Sequence, residues 1–409
     1  MKTKQRLIAF SVASVISTTA LADAPSMEEM WTIIQQQQQQ IQQLQSKLHS
    51  NNEKLKQTEV KVEATAVALE EGSGSVAAIA QWASKTRVGG YGELHYNNLD
   101  EGDNEIDLHR FVLFFSHQFT DSVRFFSEFE VEHSLSGEGK KGEVEMEQAY
   151  IEWDFAQNQQ AKAGLFLLPI GIMNETHEPD TFYGVERNRV EAEIIPATWW
   201  EAGTAVGGEI TPGLSYDLAI HSGLFMDDTA RIRSGRQKGS KAVAEDLAFT
   251  GRLKYTGVAG LELGITLQHQ QDIFQGQTFA GASDISATLL ESHVAYLNGP
   301  FQLRALYAMW DFDEGINAVA MRDDADEREG FYIEPSLRIN EHLGIFARYS
   351  EYDEVRAAAT DSMEFTQIDF GLNYWLTETV VLKADYQIQE APRSRTEADG
   401  FNLGVGWSF

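Results

Sequence analysis

Two periods of hydrophobic positions divide the 409-residue chain. Between residues 27 and 69, apolar side chains recur at alternating spacings of three and four residues, which is the heptad pattern of a coiled coil. From Arg87 to Phe409 the period is two, which is typical of β-strands with one apolar face. The pattern therefore predicts an N-terminal α-helical coiled coil followed by an all-β domain.

The heptads contain polar layers. With Met27 at position a, the core positions include Ile34, Gln37, Ile41, Leu44, Leu48, Asn51 and Leu55. The a positions are aliphatic, whereas Gln37 and Asn51 occupy d positions, where polar residues cost stability and specify register and strand number. Three helices can satisfy such layers around a common axis, so we expect residues 23–70 to form a trimeric coiled coil.

Two short segments flank the coiled coil. Basic residues at positions 2, 4 and 6 precede an apolar run, and a small-x-small site ends at Ala22. These features predict a secretory signal peptide over residues 1–22. Residues 71–86 break the heptad with Gly72 and Gly74, and we interpret them as a linker.

The region of period two contains sixteen segments of strand length. Their predicted bounds are 87–97, 105–119, 122–133, 143–155, 160–167, 201–210, 214–224, 243–256, 261–272, 284–297, 301–312, 328–339, 343–353, 363–376, 379–389 and 399–409. Short turns alternate with long polar loops between them, which is the pattern of outer-membrane barrels. The sequence therefore predicts an all-β transmembrane barrel of about 16 antiparallel strands over residues 87–409.

A soluble β-sandwich would also alternate, so the two folds must be distinguished. A single sandwich domain seldom exceeds about 250 residues. Aromatic residues also cluster near the short-turn ends, where a membrane-interface girdle would lie; they are Trp153, Phe155, Tyr255, Tyr296, Phe301, Trp375 and Trp407. Both observations favour the barrel.

The C-terminal segment predicts how the barrel closes. Residues 399–409 alternate large apolar side chains with small or polar ones up to the terminal Phe409. An open strand edge is not stable in hydrocarbon, so we expect this strand to pair with residues 88–94. Trp407 and Phe409 resemble the signal by which the barrel-assembly machinery recognises its clients.

Composition narrows the chemistry. The chain has 32 Lys plus Arg, 62 Asp plus Glu and no Cys, with a formal net charge of −30. This charge argues against nucleic-acid binding, and disulfides and thiolate metal sites are excluded. The predicted inward face is mixed: basic residues are concentrated there, among them Arg110, Arg124, Lys162 and Arg252, together with acidic residues such as Glu93, Glu128 and Asp385. Charges arranged around a pore select ions by sign.

The connection over residues 168–200 is much longer than the other loops. A loop of this length is functional or disordered, and its content of Ile170, Phe182, Tyr183, Ile194, Ile195, Trp199 and Trp200 is too apolar for disorder. We expect it to fold into the lumen as a constriction loop. Its charged residues, Arg187, Arg189, Glu191 and Glu193, are the candidates for solute contact.

Two other interpretations of this loop were weighed. His177, together with carboxylates between Glu175 and Asp180, offers ligands for a hard or borderline metal. Hydrogen bonds from the loop to the barrel wall explain the same residues, so no metal or other cofactor is predicted. Glu191 and Glu193 resemble an acid–base pair, but no nucleophile motif such as G-x-S-x-G accompanies them, so no enzymatic activity is predicted.

The segment from Gly164 to Gly203 resembles the third-loop region of the phosphate-selective porin O and P family, and the order of signal, coiled coil and barrel matches the layout of its members. The resemblance implies a homotrimeric porin of the Gram-negative outer membrane, surrounded by lipid and lipopolysaccharide. Its activity would be passive diffusion of small polar or anionic solutes, phosphate among them.

The alternative function is structural. The protein would then be an outer-membrane structural or adhesin-type protein with a plugged barrel and a coiled-coil tether. In either case an even strand number places both barrel termini on the short-turn, periplasmic side. The coiled coil would extend about 65 Å into the periplasm, towards the peptidoglycan.

Overall fold

The computed structural model describes residues 73–321, 325–353, 364–392 and 395–409, together with Lys47, Lys54, Lys56 and Lys61, whose backbone is helical. The predicted signal peptide and the core positions of the predicted coiled coil lie outside the described residues, so both stay predictions. The chain divides into two compact units, Met1–Ala80 and Gln81–Phe409.

A helix occupies most of residues 71–86, the segment interpreted as a linker. Helix α1 (Ser73–Ser84) consists largely of Ala and other residues compatible with a helix, and this composition outweighs the local effect of Gly74. At its C-terminal end the Trp82 ring stacks on His117 with centroids 5.9 Å apart. Among the described helices, none is long and apolar enough to cross a membrane.

Within the described residues, sixteen antiparallel strands form one closed barrel, as predicted. The strands are β1 (Thr86–Leu99), β2 (Glu105–Gln118), β3 (Val123–Glu132), β4 (Val144–Ala156), β5 (Gln159–Leu167), β6 (Trp200–Thr211), β7 (Leu214–His221), β8 (Ala248–Tyr255), β9 (Leu261–Gln270), β10 (Ala287–Asn298), β11 (Phe301–Phe312), β12 (Glu327–Arg338), β13 (Leu343–Asp353), β14 (Glu364–Thr377), β15 (Val380–Glu390) and β16 (Gly400–Ser408). Each strand pairs with its neighbours in sequence, and short turns lie at one end of the barrel.

The first and last strands pair and close the barrel, as predicted, although the pairing covers residues 90–99 and not the expected 88–94. The register runs from Tyr91 opposite Ser408 to Leu99 opposite Gly400. Beyond it, the amide of Phe409 donates to the Gly90 carbonyl at 2.9 Å, and the Gly90 amide donates to the Phe409 carbonyl at 3.0 Å. These bonds satisfy the backbone groups that an open edge would leave unpaired.

The wall is apolar outside and polar inside. On β15, Leu382, Tyr386 and Ile388 are exposed, whereas Lys383 and Asp385 are buried. Trp153, Phe155, Tyr255 and Phe301 also face outward, in agreement with the predicted girdle. Trp375 does not: it is 5% exposed and packs inward against Tyr183.

The hydrophobic core lies inside the barrel. It combines wall residues with apolar residues of the inward-folded connections, including residues 168–199, residues 222–232, residues 273–285 and helix α3 (Gly315–Ala320). The seven large apolar residues named above for the predicted constriction loop, from Ile170 to Trp200, are all buried. Loop packing therefore fills much of a lumen that sixteen strands alone would leave open.

Candidate functional site

The third long connection, residues 168–199, crosses the barrel interior. Near its start, Glu175 pairs with Arg252 of β8. Further along, Asp180 accepts a hydrogen bond from the Ser408 hydroxyl of β16 at 2.7 Å, and the Val185 amide donates to Asp385 of β15 at 2.6 Å. The loop thus spans the lumen from one wall to the other.

The loop then forms a short helix, α2 (Arg189–Glu193), which docks on a third part of the wall. Asn188 caps it by accepting a hydrogen bond from the Glu191 amide at 2.9 Å. The Glu191 carboxylate is 0% exposed and accepts hydrogen bonds from the amides of Ile172 and Met173 and from the Tyr332 hydroxyl. Burial raises the pKa of Glu191, and these hydrogen bonds oppose the rise.

A cavity of about 450 Å³ lies on the long-loop side of this constriction. Its wall combines strand ends of β1, β2, β14 and β15 with the loop segment from Val185 to Glu193. Arg233, from the connection between β7 and β8, and Arg395, from the connection between β15 and β16, also contribute. Most of the lining is charged or polar, as a path for hydrated solutes requires.

Charges of both signs line the cavity. Arg187, Arg189 and Arg233 belong to the long connections, whereas Glu105 and Asp107 lie on β2. Arg233 donates hydrogen bonds to the carbonyls of Ala192 and Ala197, and burial together with the neighbouring arginines lowers its pKa to about 9. The loop side of the cavity thus carries these three arginines together with Glu186 and Glu193.

A polar chain connects the loop to β1 at the bottom of the cavity. Glu186 Oε1 lies 3.0 Å from His95 Nδ1, and His95 Nε2 lies 3.1 Å from Glu93. Arg110 Nε lies 2.9 Å from the other oxygen of Glu93. Desolvation favours the neutral Glu186 carboxyl, but the charge and hydrogen bond of His95 outweigh it and lower the pKa of Glu186 to about 2.

The structure brings together half of the residues that the sequence suggested for solute contact. Arg110, Arg187, Arg189 and Glu193 all line the cavity. Glu191 does not line the cavity. Its carboxylate is buried within the loop, where it accepts hydrogen bonds from the amides of Ile172 and Met173.

The other three suggested residues lie elsewhere in the barrel. Arg252 is buried and paired with Asp217 and Glu175. Arg124 pairs with Glu152 and Asp154 near the short-turn end, and the Lys162 ammonium lies 5.5 Å from the ring centroids of Tyr150 and Phe166. All three are inward-facing, as predicted, but at other depths than the cavity.

The carboxylates near His177 do not surround it. Glu175 and Asp180 contact β8 and β16, as described above, and among the described residues no carboxylate of the segment 175–180 forms a group of potential metal ligands with His177. His177 turns instead towards β3 and β4, where Glu128 and Glu147 lie. A metal site built from residues 175–180 alone is therefore not formed.

His95, His109 and Arg233 are three of the cavity residues that the sequence analysis did not name, and each was missed for a different reason. His95 has the same alternation phase as Glu93 and could have been included with it. His109 is turned inward because the pairing of β1 with β2 shifts by one residue between Glu93 and His95, which is a β-bulge. Arg233 belongs to another connection, and no local signal predicts that this connection reaches the third loop.

A second cavity, of about 240 Å³, lies on the short-turn side of the same loop. Asp180–Tyr183 line it, whereas Val185–Arg187 line the first cavity. Between them, the buried ammonium of Lys383 lies 3.5 Å from the Phe182 ring centroid and has no hydrogen-bond partner among the described residues. The segment 180–187 therefore forms a partition between the two cavities.

Comparison with known proteins gives one relative and a shared fold. No protein-family model matches the chain. An uncharacterized protein of Aquifex aeolicus (strain VF5) is 31% identical over 363 residues, covering 79% of each chain.

Three solved structures share the barrel at much lower identity, and each is aligned over 79% of this chain. Salmonella typhi OmpF in complex with daunomycin has 12% identity and a TM-score of 0.58 over 97% of its chain. An anion-selective porin from Comamonas acidovorans has 13% identity and a TM-score of 0.54 over 99%. OmpT of Vibrio cholerae, in-vitro folded and in a trimer form, has 11% identity and a TM-score of 0.53 over 99%. At these identities the likeness shows the fold alone.

Proposed function

The chain belongs to the family of the Aquifex aeolicus protein, and we propose that it is an outer-membrane porin through which small polar or anionic solutes diffuse passively. The observation that carries the proposal is the charged cavity that ends at a loop crossing the lumen. A folded loop inside a sixteen-stranded barrel narrows the aqueous path without closing the barrel edge. The activity is diffusion, with no chemical step.

The arginines on the loop side of the cavity support a preference for anions. Arg187, Arg189 and Arg233 lie on one wall, and the guanidinium group presents donors in a geometry that matches phosphate and carboxylate. Phosphate is therefore a reasonable member of the solute class. The similarity to an anion-selective porin agrees with this assignment.

The assembly and location complete the proposal. We infer a homotrimer in the Gram-negative outer membrane, in contact with lipid and lipopolysaccharide and inserted by the barrel-assembly machinery through Trp407 and Phe409. The coiled coil over residues 23–70 would strengthen the trimer and extend towards the peptidoglycan. The trimer form of the Vibrio cholerae barrel supports the oligomeric state.

Single-channel recording of the purified protein in planar bilayers tests the pore. We expect discrete conductance steps in KCl. If the protein inserts, as judged by protease protection, but gives no steps under any voltage, the porin assignment fails and the plugged structural protein takes its place.

Reversal potentials test the anion preference. Replacing Arg187 and Arg189 with Ala should move the reversal potential in a KCl gradient towards cation preference, because two positive charges leave the cavity wall. The matched control is Lys140→Ala with Lys141→Ala, which removes two charges from an exposed loop. Equal shifts in the two variants would exclude a local role for the loop arginines.

A further inference from the structure

Three buried side chains meet where the third loop touches the wall. Glu128 of β3 and Glu147 of β4 are each 1% exposed, and His177 of the loop is 2% exposed. His177 Nε2 lies 3.6 Å from Glu128 Oε1 and 3.6 Å from Glu147 Oε2. All three of these atoms are buried and have no hydrogen-bond partner among the described residues.

A β-bulge aims Glu147 at this point. Glu128 is paired with Gln148 and Phe129 with Met146, so Glu147 is the extra residue of β4. Without the bulge, the alternation that places Gln148 inward would turn Glu147 towards lipid. Bulges often redirect a side chain at functional positions.

The distances differ from those of hydrogen bonds. An N–H···O hydrogen bond spans about 2.7 to 3.2 Å. The same barrel contains such a contact at His293, whose Nδ1 lies 2.6 Å from Glu291 Oε1. In contrast, ligands bound tetrahedrally at about 2.0 to 2.2 Å from a metal lie about 3.3 to 3.6 Å apart. The spacing around His177 matches ligands that share an ion.

The surroundings orient the imidazole for coordination. His177 Nδ1 lies 3.2 Å from the Asn174 carbonyl, to which it can donate, so that Nε2 of the neutral ring presents its lone pair to the carboxylates. Gln148 donates to the other oxygen of Glu128 at 2.6 Å. Metal-bound histidine and carboxylate groups commonly have such outer partners.

Two arginines lie near the cluster, Arg110 and Arg187, and Arg187 donates a hydrogen bond to the Thr198 hydroxyl at 3.0 Å. Arg110 lies between Glu93 and Glu130, at 2.9 and 3.2 Å. Two ionised carboxylates facing an imidazole lone pair would repel one another in a buried site, and a divalent cation would neutralise them. Nearly all buried polar atoms in native proteins have partners, so three facing atoms without one indicate an occupant.

We propose that Glu128, Glu147 and His177 bind one divalent transition-metal ion, such as Zn²⁺ or Mn²⁺, which fastens the third loop to strands β3 and β4. One imidazole nitrogen and two carboxylates suit these borderline ions. The site is independent of whether the barrel conducts solutes. The ion is captured as the loop folds against the wall, because the ligands come from three separate segments.

Metal analysis of the purified full-length protein tests the site. After growth with Zn²⁺ and Mn²⁺ and dialysis against metal-free buffer, we expect about one ion per chain by mass spectrometry. His177→Ala and Glu147→Gln should each reduce this content about tenfold or more. His293→Gln, which removes a buried histidine beside a glutamate at hydrogen-bond distance, is the matched control and should retain the ion.

A second measurement does not depend on the folding of any variant. Wild-type protein stripped with a chelator should bind added Zn²⁺ or Mn²⁺ with saturable one-to-one stoichiometry, and amide exchange in residues 168–180 should slow when the metal returns. A wild-type protein that carries no metal and shows no such binding would overturn the proposal, since a bridging proton would then suffice. Equal metal content in wild type and His177→Ala would overturn it as well.

Discussion

Replacing Glu191 with Ala tests how the third loop is held in the lumen. In the wild type, one carboxylate oxygen accepts hydrogen bonds from the amides of Ile172 and Met173 at 2.9 and 2.6 Å. The other oxygen accepts from the Tyr332 hydroxyl at 2.8 Å. Because Glu191 is 0% exposed, the substitution leaves these three donors, and the Asn188 side-chain amide that donates to the same carboxylate at 3.3 Å, in a place from which water is excluded.

The expected magnitude follows from these three donors. A buried donor without an acceptor costs about 1 to 3 kcal/mol, so the docked loop should lose about 3 kcal/mol even at the low end. Each 1.4 kcal/mol changes an equilibrium constant about tenfold. Local opening of the loop should therefore become about 100-fold more frequent or more.

Hydrogen exchange followed by mass spectrometry measures this opening directly, because the exchange of a protected amide reports the free energy of local unfolding. Peptides covering residues 168–178 should exchange about 100-fold faster in Glu191→Ala. The control is Glu193→Ala, which removes a carboxylate from the same helix but only one ion pair, at 3.1 Å, whose partner Arg189 is 39% exposed. Its effect should stay within about fivefold.

The refuting result is specific. If the amides of Ile172 and Met173 keep their wild-type protection in Glu191→Ala while the strands remain protected, the buried carboxylate does not hold the loop. Glu191→Gln separates charge from hydrogen bonding, since its remaining oxygen can still accept from both amides. We expect it to lie much closer to the wild type than to Glu191→Ala.

Three further predictions concern the cavity and the chain ends. The pKa of Glu186 falls from 4.5 to about 2 in the folded protein, so its stabilising contact with His95 should be complete above about pH 4.5 and lost as the pH falls towards 2. Open-channel noise in the wild type should therefore rise as the pH is lowered through this range. In Glu186→Gln, which lacks the charge, the noise should be high at every pH. Deleting residues 27–69 should lower the melting temperature of the trimer on native gels without preventing barrel assembly, and an unchanged melting temperature would contradict a trimeric coiled coil. Deleting Phe409 removes both backbone hydrogen bonds to Gly90 and the terminal aromatic ring, so the yield of heat-modifiable barrel in the outer membrane should fall. Phe409→Trp keeps the backbone and an aromatic ring, and its yield should match that of the wild type.

The strands were predictable because each one separates two environments. Apolar side chains face outward and polar side chains or packed loops face inward, and this difference imposes a period of two along every strand. The largest errors lie around the β7–β8 connection, where strands were predicted over 214–224 and 243–256. The strands end at His221 and begin at Ala248 because Leu224, Met226 and Ile232 leave the wall and join the internal core.

The interior was only partly predictable, for two physical reasons. A bulge inserts one residue and reverses the alternation beyond it, so His109 and Glu147 face inward although their phase indicated lipid. The path of the third loop depends on contacts with residues distant in sequence. For a charged residue in this loop, the local sequence does not indicate whether its hydrogen bonds will be made with water or with buried donors. Glu191 and Glu193 are two positions apart on one helix, yet the first is buried and the second lines the cavity.

The difference between paired and unpaired charges also explains why the net charge of −30 does not determine the electrostatic potential inside the barrel. Charges in the outer loops act over about 8 Å at physiological ionic strength, and beyond that distance salt screens them. At the cavity, Glu93 is paired with Arg110 and Glu193 with Arg189, so their fields largely cancel. Arg187 is the last residue of the partition formed by residues 180–187; it donates one hydrogen bond to the Thr198 hydroxyl at 3.0 Å, and its two other buried guanidinium nitrogens have no hydrogen-bond partner among the described residues. If the barrel conducts solutes, as we propose, we therefore expect this arginine and its neighbours to determine the potential at the partition more than the net charge of the chain does.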